Sequence, residues 1–358
     1  MLNYILNKTG YALLTLFGVT TVIFLLFNVL PGDPAQMMLG ENESEEQLQA
    51  VRAKYGFDKS LTTQYFYYLN DLSPISFHSA SKEDYTYLAE DKYSAITLFS
   101  VAETNVALKI PYLRESFQKN GQKVSSVIGE TLPNTFVLAI SAIVVALIIG
   151  IFFGIISALH KDSALDKTIQ VLSTLGMSVP SFFSAILFAW FFGYVLHEYT
   201  HLNMTGSLYE LDDFGEENRL QLKNLILPAL VLGIRPLAVV IQLMRNSLLE
   251  ILQQDYIRTA RAKGLSSSQI IRKHALKNAL NPVVTAISGW FASMLAGAVF
   301  VEYIFGWNGL GKEIVDALNT LDLPIIMGAV LIIALMFIII NIFVDIIYGW
   351  LDPKITNN

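Results

Sequence analysis

Six stretches of the chain stay apolar long enough to cross the roughly 30 Å of bilayer hydrocarbon. They are residues 10–30, 134–159, 169–196, 225–244, 283–301 and 325–350. Backbone amides and carbonyls find no water in that layer, and alternating apolar and polar segments of barrel-strand length are absent, so each stretch is predicted as a helix. The fold class that follows is all-α, a polytopic membrane protein with about six transmembrane helices. The first run exceeds the roughly 7–15 residues of a signal-peptide core. It ends in the helix-stopping cluster Pro31-Gly32-Asp33-Pro34 and is expected to remain as an uncleaved first span.

The polar connections set the orientation. The connection 245–281 carries Arg245, Arg258, Arg261, Lys263, Arg272, Lys273 and Lys277 against only Glu250 and Asp255. Short loops rich in Lys and Arg stay in the cytoplasm, which places this one inside. Lys161 and Lys167 then also fall inside, whereas the connection 197–224, with Glu198, Glu210, Asp212, Asp213, Glu216 and Glu217, falls outside. Both termini are expected in the cytoplasm. Segment 31–133, largely soluble in character, becomes an extracytoplasmic insertion after the first helix. Its first part, 41–70, reads as helical through Leu48, Val51, Tyr55 and Phe57, and its middle is tyrosine-rich and less regular. The expected organisation is a first helix to residue 30, the extracytoplasmic segment 31–133, a membrane-embedded core 134–350 containing the cytoplasmic loop 245–282, and a cytoplasmic tail 351–358.

Composition sharpens this picture by exclusion. With 53% hydrophobic and 15% charged residues among 358, the chain lies outside the soluble globular range. The net charge of −6 hides the asymmetry between loops. The absence of cysteine excludes disulfides, thiolate nucleophiles and Cys-ligated metals. The five histidines, at 78, 160, 197, 201 and 274, all lie outside the six runs, so no Ser-His pair or His-Glu-x-x-His helix is available for hydrolysis in the membrane. No catalytic and no metal-binding residue is expected. An ion-coupled carrier would place acids at mid-depth, and no run has one near its centre. Residues 306–313, Gly-Trp-Asn-Gly-Leu-Gly-Lys-Glu, come close to a phosphate-loop pattern, but Glu313 stands where the magnesium-binding hydroxyl belongs and no buried strand precedes it. The chain therefore lacks a credible nucleotide site and any cofactor of its own.

Within the basic connection, 250–263 is rich in helix formers and is followed by Gly264, suited to a left-handed cap. Ser266 and Gln269 have capping-box spacing, opening a second helix that runs to Asn281-Pro282. Thr259, Ala260 and Ala262 give a small-residue surface beside Arg258, Arg261 and Lys263. The run Asp255-Tyr256-Ile257-Arg258-Thr259-Ala260-Arg261-Ala262-Lys263-Gly264-Leu265, followed by His274-Ala275-Leu276-Lys277-Asn278-Ala279-Leu280-Asn281-Pro282, resembles the coupling-loop signature of the dipeptide/oligopeptide ABC-importer permeases. Further landmarks are Gly32-Asp33-Pro34-Ala35, Leu132-Pro133-Asn134-Thr135, Ser178-Val179-Pro180-Ser181-Phe182, Phe305-Gly306-Trp307-Asn308-Gly309-Leu310-Gly311 and Asp352-Pro353-Lys354. The chain departs from that pattern over about 72–108, where it carries extra residues.

The resemblance implies a type I ABC importer permease fold in the bacterial cytoplasmic membrane, surrounded by lipid. It implies a loop, Asp255 to Leu265, that docks on a cytoplasmic ATPase subunit, with ATP and Mg bound by those partner subunits. It further implies a second homologous permease and an extracytoplasmic substrate-binding protein. Nickel and glutathione importers resemble the same subfamily, and a secondary transporter or channel is the competing class. A nucleic-acid partner is not expected, because spans tether the helix-turn-helix on both sides.

Three further candidates stand out. Arg235, beside Pro236 inside the fourth run, is a charge at membrane depth. It either lines a pathway and meets a peptide carboxylate, or satisfies carbonyls freed by Pro236, or reaches a water-filled vestibule. Ser178 and Ser181 are candidate pathway-lining hydroxyls, although packing is the commoner role of such residues. Gly306, Trp307, Gly309 and Gly311 form a candidate outer-face turn, near a pore mouth or a receptor, the alternative being a plain re-entrant turn.

Overall fold

The computed structural model describes residues 2–29, 33–39, 44–82, 84–119, 121–212, 215 and 217–351. The Pro31-Gly32 and Asp352-Pro353-Lys354 landmarks, and the acidic Asp213 and Glu216, lie outside these residues. The elements begin with α1 (Leu2–Val29), α2 (Pro34–Leu39), α3 (Glu45–Tyr55), α4 (Leu61–Leu72), β1 (Ile75–Ser79), β2 (Ala95–Val101) and β3 (Thr104–Lys109). Next come α5 (Val124–Leu159), α6 (Ala164–Ser178), α7 (Ser181–Trp190), a π-helical turn Phe191–Val195, α8 (His197–Thr200), β4 (Tyr209–Leu211) and β5 (Asn218–Leu220). After α9 (Lys223–Ile251) follow α10 (Asp255–Ala262), α11 (Ser267–Ile270), a π-helical turn Ile271–Ala275 and α12 (Leu276–Ala279). The last are α13 (Asn281–Gly297), α14 (Val299–Phe305), α15 (Leu310–Asn319) and α16 (Leu323–Leu351).

Among the described residues, four helical stretches, Lys8–Asn28, Val124–Leu159, Lys223–Ile251 and Leu323–Val344, are long and apolar enough to cross a membrane. Two bent pairs raise the number to as many as six: Ala164–Ser178 with Ser181–Val195, at 109°, and Asn281–Leu295 with Val299–Phe305, at 59°. The third run, expected as one helix over 169–196, is therefore broken. Pro180 has no amide to donate and disfavours helical geometry at the residue before it, and Val179 accordingly sits at φ −79, ψ 131.

One compact unit comprises residues 1–130 with 314–334. Here α3 opens with a Ser44–Gln47 capping box and ends at Gly56, left-handed at φ 72. The tyrosine-rich middle, expected as less regular, instead folds as an antiparallel sheet in the order β1-β3-β2. Its polar centre is Asp71, 1% exposed, which accepts hydrogen bonds from the hydroxyls of Tyr85 (2.8 Å) and Tyr93 (2.9 Å) and from Arg114 Nε (3.1 Å). Lys109 Nζ bonds the Asp71 carbonyl, and Lys92 Nζ lies 3.6 Å from the Tyr85 ring centroid. Burial lowers the Lys92 and Lys109 ammonium groups to about 8 and pushes the Tyr68 hydroxyl up to about 12. These tyrosines thus form a local core. To the all-α expectation the structure adds this sheet and the small β4–β5 hairpin, while remaining mostly helical.

The other unit comprises residues 131–313 with 335–358. Its axis is the packing of α9 on α5, α6 and α13. Gly150 and Gly154 let α9 approach closely: a Cβ on Gly150 would meet Val240 Cγ1 at 2.7 Å, and one on Gly154 would meet Met244 Cβ at 2.6 Å. Gly233 answers from α9, where a Cβ would lie 2.8 Å from the Ala142 carbonyl oxygen. One buried cluster gathers Leu138, Ala142, Leu232, Leu295, Phe305 and Trp307. A second gathers Val240, Met244 and Leu248 of α9 with Ile257, Ala260, Ile270, Ala275 and Ala279.

Candidate functional site

The hairpin between α9 and α13 follows from local chemistry. The first arm, expected from residue 250, begins at Asp255, because α9 itself continues to Ile251 and the chain turns at Leu252–Gln254. Asp255 in the first turn and Arg261 in the last both suit the helix dipole. Gly264 adopts φ +81, the left-handed region that glycine tolerates without strain. Ser266 then caps the second arm through the box expected from the sequence: Ser266 N donates to Gln269 Oε1 at 3.0 Å, and Gln269 N to Ser266 Oγ at 3.4 Å. Asn278 Nδ2 donates to Tyr256 Oη at 3.0 Å, joining the two arms.

The two faces of α10 differ sharply. Ile257 and Ala260, three residues apart, point inward and pack with Ala158, Val240, Met244 and Leu248. Ala260 is 6% exposed and Leu265 packs on the same core, so neither belongs to the outward docking surface expected from the sequence. The helical period puts Ala260 on the face of Ile257, while Leu265 reaches the core from beyond the Gly264 turn. Asp255, Tyr256, Arg258, Thr259, Arg261, Ala262, Lys263 and Gly264 are exposed. The outer face is therefore basic and low in relief, built on an apolar seat.

Beside this seat lies an ion pair. Arg245 on α9 donates Nε to Asp166 Oδ1 at 2.8 Å and Nη2 to Asp166 Oδ2 at 2.6 Å. Asp166 at the start of α6 also accepts from Ser157 Oγ on α5 and from Asp162 N at 2.9 Å. Three helices and the 160–163 turn thus converge on one carboxylate, 3% exposed.

A cleft of about 90 Å³ opens at the break between α6 and α7, lined by Gly176, Val179, Ser181, Ser184, Arg235 and Trp290 among others. Arg235 and Ser181 both line it, while Ser178 is not among the lining and donates to Thr174 O at 2.9 Å. Among the described residues Arg235 makes no hydrogen bond or ion pair, so it does not satisfy carbonyls freed by Pro236.

The glycine-rich turn is fastened from within. Gly306 caps α14 at φ 65. Trp307 is fully buried and donates Nε1 to the Asn134 carbonyl at 3.0 Å, while Asn134 Nδ2 donates to Asn308 O at 2.7 Å. Glu302 Oε2 accepts from Gly311 N at 2.7 Å and Lys312 N at 3.1 Å. Gly309 and Gly311 are needed for close approach, since a Cβ on Gly309 would sit 2.4 Å from Glu302 Cδ and one on Gly311 2.5 Å from Val299 Cα. Trp307, Gly309 and Gly311 are buried, so the expected outer-face contact through them is corrected to an internal clamp. Asn308 is the exposed residue of the turn.

Sequence reasoning missed Asp166 and Glu302. Ser163 with Asp166 three residues later was a readable capping signal, and Asp166 N does donate to Ser163 Oγ at 3.2 Å. Its partner 79 residues away was not readable. Glu302 falls one residue beyond the expected end of the fifth run, 283–301, and nothing adjacent in sequence marks it as buried.

The chain is similar to known transport proteins over its whole length. Residues 150–357 match the family described as binding-protein-dependent transport system inner membrane component, and residues 1–81 match its N-terminal membrane component. A putative peptide permease protein of Brucella suis is 34% identical over 357 residues, covering 99% of each chain. A di/tripeptide transport system permease protein of Pseudomonas aeruginosa is 32% identical over 369 residues, and a dipeptide transport system permease protein of Escherichia coli 32% over 378, each covering 99% of both chains. An inward-facing methionine ABC transporter structure shares 18% identity over 62% of this chain and 94% of that one, with a TM-score of 0.49. On its own sequence, the chain belongs to the multi-pass inner-membrane components of binding-protein-dependent transport systems.

Proposed function

We propose that this chain forms one membrane-spanning half of an ATP-driven importer of short peptides, without catalytic activity of its own. In this reading the 255–280 hairpin faces the cytoplasm and docks into a separate ATPase subunit, which binds ATP and Mg. A second homologous permease completes the path, and an extracytoplasmic binding protein delivers the peptide. Both termini lie in the cytoplasm and segment 31–133 lies outside.

The observation that carries this reading is the two-faced hairpin. Ile257, Ala260, Ile270, Ala275 and Ala279 fix it to the α5–α9 core, while Arg258, Thr259, Arg261, Ala262 and Lys263 stay exposed. A rigid seat under an exposed basic face suits an element that is pushed by another protein and passes the displacement to the helices as a rigid body. The peptide permeases among its relatives support the substrate class.

Copurification after mild detergent extraction tests the reading. Gly264→Arg puts a side chain at φ +81, where any Cβ is strained, and Arg261→Glu inverts the exposed charge. Both are expected to reduce recovery of the ATPase subunits and to abolish uptake. Unchanged association and uptake in both variants would refute the docking role, and uptake by vesicles lacking any ATPase would favour a carrier.

A further inference from the structure

The geometry points to Arg235 as the residue that receives the carboxylate of a peptide in transit, in the cleft it shares with Ser181, Ser293 and Trp290. This rests on the importer reading and deepens it by naming the group recognised.

Arg235 lies 12 residues into the 29-residue α9, roughly 18 Å along the axis at 1.5 Å per residue. That is mid-depth for a spanning helix, away from lipid headgroups at either end. A guanidinium there is costly to insert and is normally paired. Among the described residues no acid lines the cleft, and Arg235 has neither an ion pair nor a hydrogen bond. The side chain is nevertheless exposed to the cleft rather than covered. A charge held at that depth without a resident counter-ion fits an anionic group that comes and goes.

The surroundings specify which anion. Ser181 and Ser293 contribute hydroxyls with no partner among the described residues. Trp290, half-buried, provides a flat apolar wall beside them. The cleft volume of about 90 Å³ is several times what one water requires. A planar carboxylate matches the guanidinium fork in a bidentate pair, the hydroxyls can donate to the same oxygens, and the wall accepts the adjoining carbons. The break at Val179-Pro180 opens this space, because a continuous α6–α7 helix would run straight through the bend.

The test uses the complete importer, with its partner permease, ATPase subunits and binding protein, in proteoliposomes. ATP-driven uptake of dialanine is compared with that of dialanine amide, which lacks the carboxylate. Arg235→Gln is expected to lower dialanine uptake by about tenfold or more, the scale of a charge-assisted pair, while leaving amide uptake unchanged. Arg235→Lys keeps the charge without the fork and should fall between the two. If Arg235→Gln fails to retain the ATPase subunits, Arg235→Lys carries the same contrast in smaller measure. Equal loss of both peptides by an assembled variant, or dialanine uptake at the wild-type rate, overturns the assignment. A wild-type importer indifferent to the amide overturns it while leaving the importer reading intact, whereas no ATP-dependent dialanine uptake by wild type contradicts both.

Discussion

Arg245 grips Asp166 through both oxygens, at 2.8 and 2.6 Å, and this pair joins α9 to α6 directly beside the apolar seat of the hairpin. Asp166 is 3% exposed and Arg245 18%, so the charges are largely withdrawn from water. Removing one partner from a buried pair leaves the other uncompensated, an effect of about 3–5 kcal/mol. Asp166→Ala should fall at the low end, about 3 kcal/mol, because Arg245 keeps some solvent contact. Thermal unfolding in detergent checks it. Asp166→Ala with Arg245→Met should recover part of the loss, and a double variant as unstable as the sum of the singles would deny the coupling.

The clamp in the 306–311 turn makes a steric prediction. Gly309→Ala would drive a Cβ to 2.4 Å from Glu302 Cδ, and neither partner can retreat easily because Glu302 is fully buried. Overpacking of this kind costs about 1–3 kcal/mol. Adding Glu302→Ala makes room, so the Gly309→Ala penalty measured in that background should shrink. If the penalty persists there, the clash with Glu302 is not its cause.

Two alanines on one helix should behave oppositely. Ala260, buried against Val240, Met244 and Leu248, cannot take a larger side chain, so Ala260→Trp is expected to lower the melting temperature of the permease itself. Ala262 is exposed, and Ala262→Trp should leave the melting temperature unchanged while blocking ATPase association. Equal effects of the two on stability would mean that α10 presents a different face.

The polar core around Asp71 gives a pH dependence. Lys92 and Lys109 are lowered by burial from 10.5 to about 8, so between those values the unfolded chain binds more protons and stability rises with pH. Tyr68 is raised from 10.0 to about 12, so above pH 10 its folded form holds more protons and its contribution falls. Thermal unfolding followed by near-UV circular dichroism of the tyrosines should show stability rising from about pH 8 and levelling off above about pH 10, and Lys109→Met should flatten the rise. A stability that falls steadily from pH 8 would contradict the buried-lysine assignment.

Much of this fold was legible because bilayer thickness and the 3.6-residue period act locally. The apolar runs, the Ser266–Gln269 box and the Gly264 turn needed only neighbours in sequence. What escaped depended on distance. The partner of Asp166 lies on another helix, and the inward orientation of Ala260 and Leu265 is set by packing against α5 and α9. The 75–109 sheet was hidden because exposed apolar residues such as Phe77, Ile96 and Phe99 blur the alternation by which a half-buried strand is recognised. Trp307 and its glycines looked like a surface turn because Asn134 and Glu302, which hold them, are remote or fell outside the assigned run.

The absence of cysteine makes one measurement decisive, since Lys263→Cys introduces a unique thiol on the exposed end of the hairpin. A membrane-impermeant maleimide should leave that thiol unlabelled in intact cells, label it in inside-out vesicles stripped of ATPase subunits, and fail again once those subunits are restored. Labelling from outside intact cells, or labelling indifferent to the ATPase, would contradict a hairpin that reaches into the cytoplasm to be driven by another protein.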